Sequence, residues 1–600
     1  MEESQQLQNK RMEVYQSNMT TYQLVIDQLK KQAKQWVLIR LFSFLLIPLT
    51  IYFLYDLGWI AALMVLAELI AFLYFVRKSA ENKDHLVFNK KLLWINEKEI
   101  KALQHDYSAF SDGKKYNDPK HAFSYDMDLF GKMGFFQYFN RTVSEEGEKL
   151  LVNKLLHGDA NFSANHDAIE ELTTHLKWSQ EFRARGIQDN YESDLSLSLL
   201  HWTKKIVNAP NWTKIMRPVI IVAAIGVTVA YNLDLINGTL FLLSAVIILA
   251  PISQLVKSTN TTHKELAIIA PRLSAIAHQL ERMDEIDFKS EKLAYFKKQL
   301  FSKDQKGFEA VSELNKIIEQ FEYRNNILVA LLLNFYFAWD FTCLLRLKKW
   351  KTRYGDLLPG WEAIVHEIEV LLCAANFRYN HKNTTTYAEL TDAAETKMEC
   401  IGVGHPLIPN EKRISNDYIM KANEQFSIIT GPNMAGKSTF LRSIAINLML
   451  AKAGFPVMAE KFIFPNLSLY SSMRTSDDLT DESSYFHAEL IRLRFIVDVI
   501  ERGEKVFIIL DEILKGTNSK DKEEGSAKFL SKLIQLKTHG IIATHDLKLT
   551  ELADKNVALK NLYFDTTIEV DEISFDYTIR EGVAKNMNAS FLLRKMGLSS

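Results

Sequence analysis

Disulfide chemistry is almost missing from this chain: Cys343, Cys373 and Cys400 are the only cysteines in 600 residues, odd in number, far apart and without C-x-x-C spacing. That excludes a disulfide framework and a zinc ligand set, and it fits a reducing compartment. Net charge is equally scarce. Lys and Arg number 72 against 73 for Asp and Glu, so the molecule cannot coat nucleic acid by bulk charge, and any DNA contact has to be local. No internal repeat or low-complexity tract is evident. The opening stretch MEESQQLQNKRMEVYQSNMTTYQ is polar and mixed in charge, so a cleavable signal, which is basic and then apolar, is not expected. The length calls for several domains.

Long apolar runs, by contrast, are present. Trp36 to Tyr55 and Gly58 to Val76 are of near-spanning length and joined by a tight turn at Asp56, and Pro218 to Tyr231 with Ile236 to Leu255 repeat the pattern around Asp234. Lys30, Lys31, Lys34 and Arg40 precede the first pair, with Arg77, Lys78 and Lys83 after it. Lys204, Lys205, Lys214 and Arg217 precede the second pair, Lys257 follows it, and the turns carry no basic residue. Buried helices of a soluble core would give no reason for that segregation, whereas the positive-inside bias predicts four transmembrane helices in two hairpins, with the rest of the chain cytoplasmic at the cell membrane. Glu68, in mid-segment, has to be protonated, paired or packed toward other helices. Ile327 to Leu345, interrupted by Asn334 and Asp340, reads as a buried helix of the soluble core, because a fifth crossing would put the C-terminal part outside.

The organisation expected is an N-terminal cytoplasmic helix (1–35), hairpin 1 (36–76), a linker (77–120), a helical lever in two parts (121–215 and 257–390) around hairpin 2 (216–256), and an α/β domain (391–600). Sparse Gly and Pro with helical spacing mark the lever. Short β-rich runs alternating with helical patterns, FSIIT, KVFIILDE and GIIATHD, mark the last domain.

That domain carries the chemistry. Gly431, Gly436, Lys437 and Ser438 satisfy GxxxxGKS between an apolar strand and a helix. Glycines let backbone N–H groups approach phosphate, Lys437 meets β and γ oxygens, and Ser438 ligates magnesium. VFIILDE ends a strand in two carboxylates, Asp511 for the magnesium shell and Glu512 to polarise the attacking water; alone it is as easily a solvated acidic turn. Ser484 begins a helix that can be aimed at phosphate, and His545 ends another apolar strand within reach of a γ-phosphate. Four elements in this order predict an ATP and Mg2+ site.

At these residues the sequence resembles the MutS family of mismatch-repair ATPases, a branch of the ABC class. TGPNMAGKSTFLR, with Pro432, Asn433, Met434, Ala435 and Thr439 completing the loop, is close to that family's phosphate loop. SDDLTDESSYFHAE is similar to its signature segment, LDEILKGTNSKD to its Walker B and the loop after it, and ATHD to its switch-histidine strand. GHPLI, SND, REGVAKNMNASFLLRKMGL and, more weakly, the lever from about Tyr125 fit as well. The resemblance implies a P-loop ABC-type fold with a helical lever, and a homodimer in which each ATP is closed in trans by the partner's Ser484, with Glu512 and His545 catalytic. Glu482 departs from the pattern, since the family usually has glycine there and a carboxylate would repel a γ-phosphate. Where the family has an aromatic platform for adenine only Arg413 and Ile414 are found, so no base contact is assigned. Hairpin 1 occupies the territory of the mismatch-reading domain, and 257–325 is short for a DNA clamp.

Three functions follow for weighing. One is a membrane-anchored ATPase on mismatched or branched DNA, for which Arg346, Lys348, Lys349, Lys351 and Arg353, interleaved with Trp350 and Tyr354, form a basic and aromatic run suited to a phosphate backbone, or simply a solvated helix face or a membrane-surface patch. Another is a membrane mechanoenzyme acting on a protein or lipid. A transporter half is disfavoured, since four segments supply few walls for a path.

Overall fold

The structure, a computed structural model, describes residues 2–188, 199–302, 305–391, 398–474, 485–569 and 572–584. The chain divides into two compact units, one of Met1–Arg141, Glu148–Thr174 and Leu371–Ser600, the other of Thr142–Gly147 and His175–Val370. The stretch 121–215, taken in sequence as one part of a lever, thus contributes to both.

In the first unit, helices α1 (Glu2–Leu54) and α2 (Trp59–Leu103) form an antiparallel hairpin closed by the turn Tyr55–Leu57. With 53 residues in α1, the hairpin is about 80 Å long at 1.5 Å per residue. Its members pair along their whole length: Gln8 Nε2 donates to Leu103 O at 3.0 Å, Asn18 to Asn96 at 3.2 Å, Asn82 to Leu29 O at 3.1 Å, and the Trp36 and Phe75 rings lie 6.3 Å apart. Near the turn, Thr50 Oγ1 donates to Glu68 Oε1 at 2.6 Å, a pairing that offsets part of the cost of a carboxylate among apolar side chains. The expected linker from residue 77 is instead helix as far as Leu103. Leu92, Ile95, Glu99 and Leu103 make a buried stripe at helical spacing, which holds this part of α2 in register.

The second unit contains helices α3 (Trp212–Asn232), α4 (Gly238–Ser253), α5 (Ile327–Phe337) and α6 (Trp339–Tyr354). Among the described residues α1, α2 and α3 are each long and apolar enough to cross a membrane. Two bent pairs, α4 with Val256–Asp284 (59°) and α5 with α6 (77°), would bring the total to five. The expectation that 327–345 is one buried helix is corrected here. The α5 part is exposed and apolar, whereas Phe341, Cys343, Leu344 and Leu347 of α6 are fully buried. The chain breaks between them at Ala338, φ 45°. The basic and aromatic run is also mostly structural. Trp350 is buried with Nε1 donating to Ala310 O at 2.7 Å, Lys348 Nζ donates to Ala209 O, and Lys351 Nζ donates to the Trp202 and Lys205 carbonyls. Burial pushes Lys351 down to about 8.

The first unit also carries a six-stranded sheet of β1 (Phe426–Thr430), β2 (Ser468–Ser472), β3 (Val506–Asp511), β4 (His539–Ala543), β5 (Leu559–Phe564) and β6 (Ile579–Glu581), in the order β6-β5-β1-β4-β3-β2. All neighbours are parallel except β6, antiparallel on β5. A central parallel strand is covered on both faces, so every residue of β1, FSIIT, is buried and β3 reads as an apolar run up to Asp511. Phe426, Ile428, Ile508, Leu510 and Ile542 join Ile496 and Val499 of helix α8 (Tyr485–Glu501) in its core. Helix α7 (Lys437–Lys452) follows β1 directly. A separate four-stranded sheet comprises Glu389–Leu390, Lys461–Phe464, Met398–Val403 and Asn416–Met420.

Candidate functional site

In open α/β sheets, sites gather outside the carboxyl ends of the strands. Three such ends converge here: β1 and β3 flank β4, so the loop after β1, the carboxylates after β3 and the histidine after β4 come from neighbouring strands although about a hundred residues separate them in sequence.

The loop from Gly431 to Gly436 owes its path to glycine at both ends. Gly431 has φ 146°, and a Cβ there would sit 2.7 Å from Phe564 O. Gly436 has φ 102°, with Tyr577 3.1 Å from such an atom. Pro432 and Ala435 continue the loop, with Ala435 buried and Met434, at φ 69°, exposed. Lys437, the first residue of α7, curls back so that Nζ donates to Gly431 O at 2.7 Å and Pro432 O at 2.9 Å. Burial pushes its ammonium down, against the opposing pull of Glu512 and Asp511. One residue on, Ser438 Oγ donates to Asp511 Oδ2 at 2.6 Å.

Glu512 follows the strand in a left-handed conformation, φ 51°, its N–H donating to Ala543 O at 2.9 Å. This turns the side chain toward His545, whose Nε2 lies 2.9 Å from Glu512 Oε1, 2.7 Å from Asn433 Oδ1 and 3.4 Å from Lys437 Nζ. The hydrogen bond from His545 holds the Glu512 carboxyl down at about 2 against the upward push of burial, with the charges of His545 and Lys515 adding to it. Asn433, Lys437, Glu512 and His545 are therefore one cluster, beside the Ser438 and Asp511 pair. A hydroxyl and a carboxylate in contact form a hard-oxygen donor set of the kind magnesium takes, while the positive end of α7 beside them favours an anion. Ser484 and Glu482 lie outside the described residues, as does most of REGVAKNMNASFLLRKMGL.

Sequence reasoning missed three further parts. A cavity of about 650 Å³ opens beside Gly436 and Thr439, walled by Ile414, Phe575 and Tyr577 among others; the Phe575 and Tyr577 rings are 6.0 Å apart at 27°. Only Ile414 of the two residues considered lines it, since Arg413 donates to Ile408 O and Asn410 Oδ1. Glu489 of α8, buried, accepts the Lys515 N–H at 3.0 Å and that of Leu514, tying the loop after Glu512 to the helix that follows the signature segment. Asp126 accepts Ser471 Oγ at 2.6 Å and the N–H groups of Met473 and Arg474, and Arg492 donates to the carbonyls of Lys120, His121 and Ala122. The aromatic pair after β5 and the acid at Asp126 give no sequence signal, because each partner comes from a distant segment.

The class defined by this fold is a mixed α/β domain, its glycine loop leading into a helix, accompanied by a largely helical region. Residues 427–594 match the family model for MutS domain V. The DNA mismatch repair protein MutS of Thermotoga neapolitana is 30% identical over 194 residues, 32% of this chain and 24% of that protein. The protein of the same name from Persephonella marina is 31% identical over 200 residues, 32% of this chain and 22% of its own length. The C-terminal third of the chain is thus similar to MutS domain V, and the chain spans about a quarter of the length of these relatives.

Proposed function

We propose that this protein is a membrane-anchored ATPase of the MutS type, multi-pass in the cell membrane with its α/β domain in the cytoplasm, in which ATP drives closure of two copies on mismatched or branched DNA. The observation that carries the ATPase reading is the convergence of Asn433, Lys437, Glu512 and His545 next to the Ser438–Asp511 pair. In this reading the loop's N–H groups and the start of α7 hold the phosphates, and Lys437 exchanges its carbonyl partners for phosphate oxygens. Ser438 and Asp511 would hold magnesium, which when bound would supply neutralisation of phosphate charge. Glu512, kept ionised by its neighbours, accepts the proton of the attacking water, while His545 and Asn433 orient it. The cavity beside Gly436 takes the nucleobase, stacked on Tyr577. Ser484 of a second copy completes the site in trans.

The second reading, a mechanoenzyme acting on a protein or lipid without DNA, is favoured by the burial of Trp350 and by the engagement of Lys348 and Lys351 with backbone carbonyls, which leave Arg346, Lys349 and Arg353 as the exposed basic residues of the run. The deciding experiment is the ATPase rate of the nanodisc-embedded protein with no DNA and with duplex, mismatched or branched DNA. Stimulation by one DNA form, with salt-dependent retardation of it, supports the first reading. An unchanged rate and no retardation at low salt refutes the DNA part, and no turnover at all refutes the ATPase.

A further inference from the structure

Helix α5 plays no part in the proposed nucleotide chemistry and is not packed as a soluble helix should be. Its sequence, ILVALLLNFYF, has no charged residue, and Ile327 (74% exposed), Leu328 (68%), Leu332 (61%) and Phe337 (54%) are bare on the surface. A monomeric soluble protein rarely leaves such a contiguous apolar surface uncovered. The surface is continuous with another: α5 packs on α3 and α4, where Tyr336 and Thr228 hydroxyls meet at 3.3 Å and the Phe335 and Phe241 rings at 6.0 Å. Those helices carry their own exposed apolar faces, with Val222 (69%), Leu242 (67%) and Ile247 (72%).

Length and the path of the chain decide what α5 can do. Its 11 residues make about 16 Å of helix, half of a hydrocarbon core of about 30 Å. The chain before and after it returns to one place: Arg324 pairs with Asp340 at 2.7 Å, the Tyr323 and Trp339 rings are 6.1 Å apart, and Trp339 Nε1 donates to Gln320 O at 2.9 Å. A segment whose entry and exit are bonded to each other does not cross. Both ends are also sealed by side chains rather than water. Asn326 Oδ1 accepts the N–H groups of Leu328 and Val329. At the break, Asn334 Nδ2 donates to Asp340 Oδ1 at 3.2 Å, and Asp340 N–H donates to Asn334 Oδ1 at 2.9 Å. Irregular backbone is tolerated at membrane depth only when protein satisfies it in this way.

We propose that Ile327–Phe337 is seated in the lipid bilayer against α3 and α4 as a short segment that does not cross it. The proposal rests on the membrane reading of α3 and α4. It preserves the orientation of the C-terminal domain without requiring a fifth crossing.

The test uses the full chain in vesicles, with Cys343, Cys373 and Cys400 replaced by alanine and single cysteines at Leu332 or Ile247 carrying a fluorophore. Bromine-labelled phosphatidylcholine is expected to quench both positions. Quenching at 247 but not at 332, whether 332 reacts with aqueous maleimide or crosslinks to a second copy, overturns this proposal and leaves the membrane reading standing. Quenching at neither position overturns both. Cysteines at Asn325 and Lys349, probed with an impermeant maleimide in sided vesicles, are expected to react from the same face. Reaction from opposite faces would mean that α5 crosses, and the proposal fails.

Discussion

Glu99→Leu is the sharpest single perturbation that the first unit offers. Glu99 of α2 and Arg141 are buried, 0% and 3% exposed, with Nε to Oε1 at 2.8 Å and Nη2 to Oε2 at 3.2 Å. Asn376 Nδ2 donates to the same carboxylate at 3.1 Å, Arg141 Nη1 donates to the Tyr138 and Asn140 carbonyls at 2.9 Å, and the guanidinium lies 3.7 Å from the Phe110 ring centroid. Removing one member of a buried pair strands the other charge, at a cost of about 3–5 kcal/mol. A local reporter is built in, because the Arg141 N–H donates to the sulfur of fully buried Cys373 at 3.1 Å. With Cys343 and Cys400 replaced, alkylation of Cys373 under native conditions reads the opening equilibrium. At tenfold per about 1.4 kcal/mol, Glu99→Leu should speed it between about a hundredfold and a few thousandfold. Glu99→Leu with Arg141→Met removes both charges and leaves neutral groups, the Tyr138 and Asn140 carbonyls and the Asn376 amide, without partners, so the effect of the double variant should fall short of the sum of the two single variants. A single variant within about fivefold of the parent, equivalent to about 1 kcal/mol, would refute the reasoning that this pair anchors α2.

The remaining predictions concern the candidate site. Lys437→Ala is expected to abolish ATP binding in a fluorescent-nucleotide titration. Glu512→Gln should retain binding and lose turnover by at least about a hundredfold, accumulating closed dimers visible by light scattering; turnover equal to the parent would remove Glu512 from its role. Glu512 lies at about 2 rather than the ordinary 4.5, so its ionised form persists from pH 8 down past 5, and the stability it contributes is present above about 4.5 and lost as pH falls toward 2. His545→Gln removes the main cause of that shift, so the acid limb of residual ATPase activity should move upward, to 4.5 or above; an unmoved limb would contradict the assignment. Tyr577→Ala should raise the KM for ATP with little change in kcat, and an equal fall in both would place Tyr577 elsewhere in the cycle.

Local sequence sufficed for the conformation of the loop and its flanks because each part is set by its neighbours in the chain: glycines where φ must be positive, a strand before them, a helix after, carboxylates where a buried strand meets solvent. It sufficed also for the turns of the two apolar hairpins, since long apolar runs broken at Asp56 and Asp234 are a one-dimensional signal. The similarity of Gly431 to Thr439 to a MutS domain was legible for the same reason. Tertiary structure alone decided what depends on distant partners. Strand β4 between β1 and β3 brings His545 to Glu512 and Asn433, and Tyr577 closes a cavity beside Gly436 from beyond β5. Residues 77–103 are helix because α1 lies alongside them. The 346–354 run looked basic and free, yet Lys348 and Lys351 find carbonyls more than a hundred residues away. Helix α5 looked like core by parity, yet most of its apolar side chains are exposed and the chain before and after it is bonded together, Arg324 to Asp340. Covalent neighbours determine conformation and patterning, but burial and pairing are properties of packed segments, and a single chain does not declare them until it folds.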